Sequence, residues 1–285
     1  MTADAIVSQV IGALQDVPGI VGVVLGGSRA RGTHQPTSDI DIGIYYDEDA
    51  GFDVRHLSAA AAQLDDERRE NLVTPLGGWG PWVNAGGWLV VQGMHVDFIL
   101  RDIHRVAQVI ADCLAGKVSS HYQAGHPHAY ISAMYMGELA ICRIFHDPYG
   151  RLAQLKAVTQ PYPAALQREI VDYFLFEAGF SLMHAENNID KDDLAYVWGH
   201  CYRALGCLNQ VLFALNEEYC INEKRAVQMV AEFPVRPEGY KPRIEQAISL
   251  FSQDPGKTRQ GVALLRELLQ EIEALTEGAR DGGSH

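Results

Sequence analysis

The run Asp39-Ile40-Asp41-Ile42-Gly43-Ile44-Tyr45-Tyr46 constrains this chain more than any other segment. Its first residues alternate polar and apolar at period two, the spacing of a strand, so Asp39 and Asp41 share one face while Ile40 and Ile42 share the other. Upstream, Ile20-Val21-Gly22-Val23-Val24-Leu25 is a short β-branched run that ends at Gly26-Gly27-Ser28, which predicts a buried strand followed by a glycine turn. Two carboxylates aimed at one spot, beside a turn with free backbone N–H groups, suit a cation and a phosphate together.

The flanking segments complete a mixed α and β region. Ile6, Val10, Ile11 and Leu14 recur at helical spacing before Pro18-Gly19 breaks the pattern, and residues 56–71 carry a second apolar stripe through Leu57, Ala60, Ala61 and Leu64. A Gly/Trp-rich segment, Gly77 to Gly87, is expected to be loop. Trp88-Leu89-Val90-Val91 and His95-Val96-Asp97-Phe98-Ile99-Leu100 flank Gln92-Gly93, which predicts a hairpin and brings in a third carboxylate, Asp97. Beyond about residue 103 the strand signals almost stop, and helices are expected over 103–115, 130–145, 165–185, 193–219, 223–232 and 241–276. The expectation is therefore an α+β domain over 1–105, an all-helical domain over 106–280, and a disordered tail at 281–285.

Composition narrows the partners. With 23 basic and 36 acidic residues the formal charge is -13, which opposes tight binding to a polyanion over a broad surface and leaves a nucleic acid partner unexpected. A small, cationic acceptor suits that balance better. The five cysteines, Cys113, Cys142, Cys201, Cys207 and Cys220, contain no C-x-x-C pair and read as core residues. No apolar run approaches the roughly 20 residues of a membrane span, and no leader pattern precedes the first helix, so a cytoplasmic protein is expected.

The residues Leu25-Gly26-Gly27-Ser28-Arg29-Ala30-Arg31-Gly32, then Thr37-Ser38-Asp39-Ile40-Asp41-Ile42, and later Val96-Asp97-Phe98, resemble the nucleotidyltransferase superfamily of the DNA polymerase β type. That pattern is hG[GS] followed some ten residues on by Dh[DE]h, and the resemblance covers roughly residues 18–102. Among its members the chain looks most like small bacterial proteins with a helical C-terminal domain, including aminoglycoside adenylyltransferases. The resemblance implies a mixed sheet with flanking helices plus a C-terminal helical bundle. It implies AMP transfer from ATP to a hydroxyl of a small molecule, with two magnesium ions held by Asp39, Asp41 and Asp97. Nucleotide contacts would come from Gly26, Gly27, Ser28, Arg31 and Ser38. A weaker echo at Leu215-Asn216-Glu217-Glu218-Tyr219-Cys220-Ile221-Asn222-Glu223-Lys224 implies that Lys224 touches the triphosphate.

Other readings stand beside these. Arg31 could equally form an ion pair that holds the acidic cluster together, and Lys224 could be a solvated helix-start lysine. A protein or RNA acceptor, as in toxin-like members of the superfamily, and a non-catalytic nucleotide-binding module are the alternatives in function. His121, His126 and His128 match no common metal-ligand spacing and are expected to form a structured loop. The tryptophans Trp79, Trp82 and Trp88 are expected to pack the loop onto the sheet, with stacking on a base or acceptor as the alternative.

Overall fold

The computed structural model describes residues 3–282. In chain order its elements are α1 (Ala3–Leu14), β1 (Ile20–Leu25), α2 (Gly27–Arg31), β2 (Ile40–Tyr46), α3 (Val54–Leu64), β3 (Ala85–Val91), β4 (Met94–Asp102), α4 (Ile103–Leu114), β5 (Ser120–Gln123), β6 (His126–Ile131), α5 (Met134–Ile141), β7 (Arg143–His146), α6 (Arg151–Ala157), α7 (Ala164–Glu186), α8 (Leu194–Leu215), α9 (Ala226–Val230), α10 (Tyr240–Leu250) and α11 (Pro255–Gly282). About half of the chain is helical, around a mixed sheet with a helical C-terminal region.

The sheet has five strands in the order β3-β4-β2-β1-β7. Strands β2 and β4 are parallel, and every other pairing in this sheet is antiparallel. Period-two alternation sorts the side chains between faces. Ile40, Ile42 and Ile44 of β2 and Val96, Phe98 and Leu100 of β4 are buried against Ile6, Val10 and Leu14 of α1 and Leu57 and Ala61 of α3. The alternate set, Asp41, Gly43 and Tyr45 with Asp97, Ile99 and Arg101, therefore lies on the other face. Helix α5 engages the far end of that face through an ion pair from the buried Arg101 to the part-exposed Glu138 at 2.7 Å.

The hairpin between β3 and β4 turns at Gln92 and Gly93, both with positive φ (52° and 76°). This is the two-residue turn whose twist matches that of the strands. Strand β3 starts at Ala85, so the end of the expected Gly/Trp-rich loop is in fact strand.

Two helix expectations are overturned. Residues 130–145 are not a helix: they hold the end of β6, the eight-residue α5, and β7, which pairs with the β1 edge of the sheet. Local spacing cannot foresee β7, a four-residue strand whose state is set by pairing with distant chain. The helix expected over 241–276 is likewise two, divided at Pro255, where the missing N–H begins a new helix at no cost.

The chain forms two compact units. The first comprises the described residues up to 113 with 119–125 and 129–161; the second comprises 114–118, 126–128 and the described residues from 162 on. In the second, α7, α8 and α11 pack on one another and α10 packs on α11. Helix α11 extends to Gly282, into the expected tail, whose residues 283–285 lie outside the described residues. All five cysteines are buried thiols outside any disulfide. Among the described residues no helix is long and apolar enough to cross a membrane.

Candidate active site on the sheet

Strand register brings the carboxylates together. Asp41 on β2 pairs directly with Asp97 on β4, and directly paired residues present their side chains to the same face. On the other side of Asp41, Gly26 follows β1 and donates its N–H to the Asp41 carbonyl at 2.8 Å. Beyond Asp97, Trp88 of β3 is its direct partner. A row thus runs across four strands, Gly26, Asp41, Asp97 and Trp88.

The glycine turn is packed tightly against this row. Gly27 has φ +59°, and a Cβ there would stand 1.8 Å from Asp41 Oδ2, so the Asp41 carboxylate lies against bare backbone that any other residue would block. Helix α2 is only one turn long, from Gly27 to Arg31, and it includes Ser28. So short a helix has little dipole, and the local attraction for an anion rests on individual N–H groups and the Ser28 hydroxyl.

Asp39 stands just before β2, exposed, and its position is set by the loop. Arg29 donates to the carbonyls of Asp39 (3.0 Å) and Ser38 (2.6 Å), while Ser38 Oγ accepts from Gln35 N at 2.9 Å. Arg29 therefore fastens the loop, a role that the sequence motif does not single out. Asp39, Asp41 and Asp97 are too spread to share one ion as they stand; the grouping close enough among the described residues is Asp47, Asp49 and His104. Within that grouping Asp47 is already engaged, accepting from Arg151 at 2.7 Å and lying 3.1 Å from His104 Nε2. The Arg151 hydrogen bond holds the Asp47 carboxyl below its ordinary range, as an ion network does. We read it as structural.

Asp97 behaves differently. Partial burial, and then the charge of Asp39, push its carboxyl above the ordinary aspartate range. Oxygen donors whose charges repel, beside a turn of bare backbone, fit a hard divalent cation such as magnesium.

The remaining expected residues are dispersed. Lys224 is exposed in the second unit, in a turn where its N–H donates to Asn222 Oδ1 at 2.8 Å. The three histidines serve separate purposes: His121 stacks on Trp82 (4.2 Å), His126 pairs with Glu223 (3.6 Å), and His128 lies 3.6 Å from Cys207 Sγ. Of the tryptophans, Trp82 is a buried anchor of the loop, and its carbonyl accepts from the Tyr135 hydroxyl at 2.6 Å. Trp79 lies over Gly86, and Trp88 is 62% exposed.

A sheet of this order with paired carboxylates and a glycine turn defines a class, the nucleotidyltransferase fold. Residues 7–76 match the nucleotidyltransferase domain family, a span that holds the Gly-Gly-Ser turn, Asp39 and Asp41 and ends before Asp97. The matched span lies in the mixed sheet, which is followed by a helical C-terminal region. Among solved structures it is similar to a nucleotidyltransferase-like protein from Exiguobacterium sibiricum 255-15, at 11% identity and a TM-score of 0.46 over 100% of this chain and 81% of that one. No curated protein matches the chain.

Proposed function

We propose that this protein transfers a nucleoside monophosphate, AMP from ATP, to a hydroxyl of a small-molecule acceptor in a cytoplasmic setting. The observation that supports this reading is the direct pairing of Asp41 with Asp97, with the Asp41 carboxylate against the Gly26-Gly27 turn. In the reaction the acceptor oxygen forms a bond to the α-phosphorus, the α–β phosphoanhydride bond breaks, and pyrophosphate leaves with the bonding electron pair. The acceptor proton passes to Asp97, the carboxylate paired directly with Asp41.

Asp39, Asp41 and Asp97 would hold two magnesium ions, which supply charge neutralisation for the attacking and leaving oxygens. Gly26, Gly27 and Ser28 would bind phosphate oxygens through N–H and hydroxyl donors, with Arg31 and Ser38 beside them. Lys224 would bind the β- and γ-phosphates as a point charge.

The test is incubation with α-labelled ATP and magnesium against a panel of aminoglycosides, lincosamides, proteins and tRNA. Label on a small molecule is expected, and Asp39→Asn or Asp41→Asn should remove most of it. Label on protein or tRNA would replace the acceptor class. ATP binding without transfer to anything would make the protein a nucleotide-binding module, and undiminished pyrophosphate release from either variant would remove the carboxylates from the site.

A further inference from the structure

Beside the carboxylate row lies an open hollow of about 560 Å³, within the usual range for small-ligand sites, lined chiefly by Trp79, Trp88, Tyr122, Pro81 and Val83. Every residue lining it belongs to the first unit. Its construction is specific. Gly86 and Trp88 are two residues apart on β3 and so face the same way, and Trp88 shares that face with its partner Asp97. A Cβ on Gly86 would stand 2.2 Å from the Trp79 ring, so the missing side chain lets that indole lie flat on the sheet. Trp79 then stacks on Trp88 at 4.7 Å.

The far wall is held from below. Gln123 Nε2 donates to the Trp79 carbonyl at 2.5 Å, while its Oε1 accepts from the N–H groups of Trp82 and Val83 at 3.2 and 3.4 Å. This buried amide ties the loop to β5 and leaves the neighbouring Tyr122 95% exposed at the rim. Trp88 is 62% exposed even though it sits on a strand. Trp88, ordered by its stack on Trp79, loses little entropy on contact with a ligand.

We propose that this hollow binds the acceptor, and that it selects a ring with a flat apolar face, seated on Trp88 and Tyr122 with the reacting hydroxyl toward Asp97. The proposal rests on the nucleotidyl-transfer reading for the direction of attack. In an in-line displacement the attacking oxygen enters opposite the leaving pyrophosphate. The phosphate-binding turn is at the Gly26 end of the row, so the acceptor approaches from the opposite end, where Trp88 stands. Among the described residues no charged side chain lines the hollow, so its contact with the acceptor is made by ring faces.

Two probes with the same diol and different bodies decide the matter: glycerol and 3-phenoxy-1,2-propanediol. Binding is followed by intrinsic tryptophan fluorescence in the full-length protein without nucleotide, and transfer is measured separately with labelled Mg-ATP. The phenoxy diol is expected to bind at least tenfold more tightly than glycerol, and Trp88→Ala and Tyr122→Ala should each weaken it by about tenfold, in the range of a lost ring contact. Both side chains are exposed, so the fold and the Mg-ATP affinity should be unchanged; Tyr122→Ala, at the rim, provides the second variant if Trp88→Ala unfolds. Equal binding of the two probes, or full binding by both variants, would overturn the proposal. Ring binding that the variants abolish, without transfer to any acceptor, would keep the pocket and remove the nucleotidyl-transfer reading.

Discussion

Asp97 is half-buried, with its carboxyl pushed above the ordinary aspartate range by burial and by Asp39. The folded state therefore favours the protonated form, and stability contributed at low pH is lost as the pH rises through the raised value. At neutral pH an ionised Asp97 costs the metal-free protein stability. Asp97→Asn should then raise the unfolding temperature at pH 7 in chelator while lowering single-turnover transfer by about 10²–10⁴-fold, the share of a general base. A variant that melts lower than wild type, or one that transfers at full rate, would contradict this. The pairing partners of Asp97 differ in how far the sequence reveals them. Trp88 was legible, since 88 and 97 are equidistant from the Gln92-Gly93 turn, and a two-residue hairpin pairs such positions. Arg29 was not, because its bonds go to the main-chain carbonyls of Ser38 and Asp39, and carbonyls look alike in every sequence.

Among the elements, β4 and α5 are joined by one buried contact of high consequence. Arg101 is 3% exposed; it donates through Nε and one terminal nitrogen to Glu138, and through the other to the Val83 carbonyl at 2.7 Å. Its guanidinium also lies 5.0 Å from the Tyr135 ring centre. Arg101→Ala should cost about 1–3 kcal/mol, since the Val83 carbonyl and a part-exposed Glu138 lose their donor, whereas the double change Arg101→Leu with Glu138→Leu should cost less. Urea denaturation of the three proteins measures the difference, and equal losses in single and double variants would show that the pair is not the source. Strands β1 and β2 and helices α1, α7 and α8 were foreseen nearly to their ends because each carries many residues of one period. Helix α5 and β7 were not. Met134 to Ile141 and Arg143 to His146 are too short for a period to declare itself, and their apolar residues continue one helical rhythm across the break at Cys142.

For the whole molecule, a ligand that binds only the native state raises its stability by mass action, by about 2.7 kcal/mol at a hundredfold excess over the dissociation constant. Mg-ATP should therefore raise the unfolding temperature in a concentration-dependent way, and ATP in chelator should do so much less. If Lys224 in the helical region binds the triphosphate, Lys224→Ala should weaken that affinity by about 1–3 kcal/mol. An undiminished shift would return Lys224 to solvent. The order of strands in the sheet bears on how the chain is made. Strands β1, β2, β3 and β4 have all been synthesised by Asp102, but β7, which covers the outer edge of β1, ends at His146. At roughly 5–20 residues per second the nascent chain spends a few seconds with the carboxylate strands available and the β1 edge bare. In that interval the row of open N–H and C=O groups along Val23, Val24 and Leu25 can recruit another nascent strand.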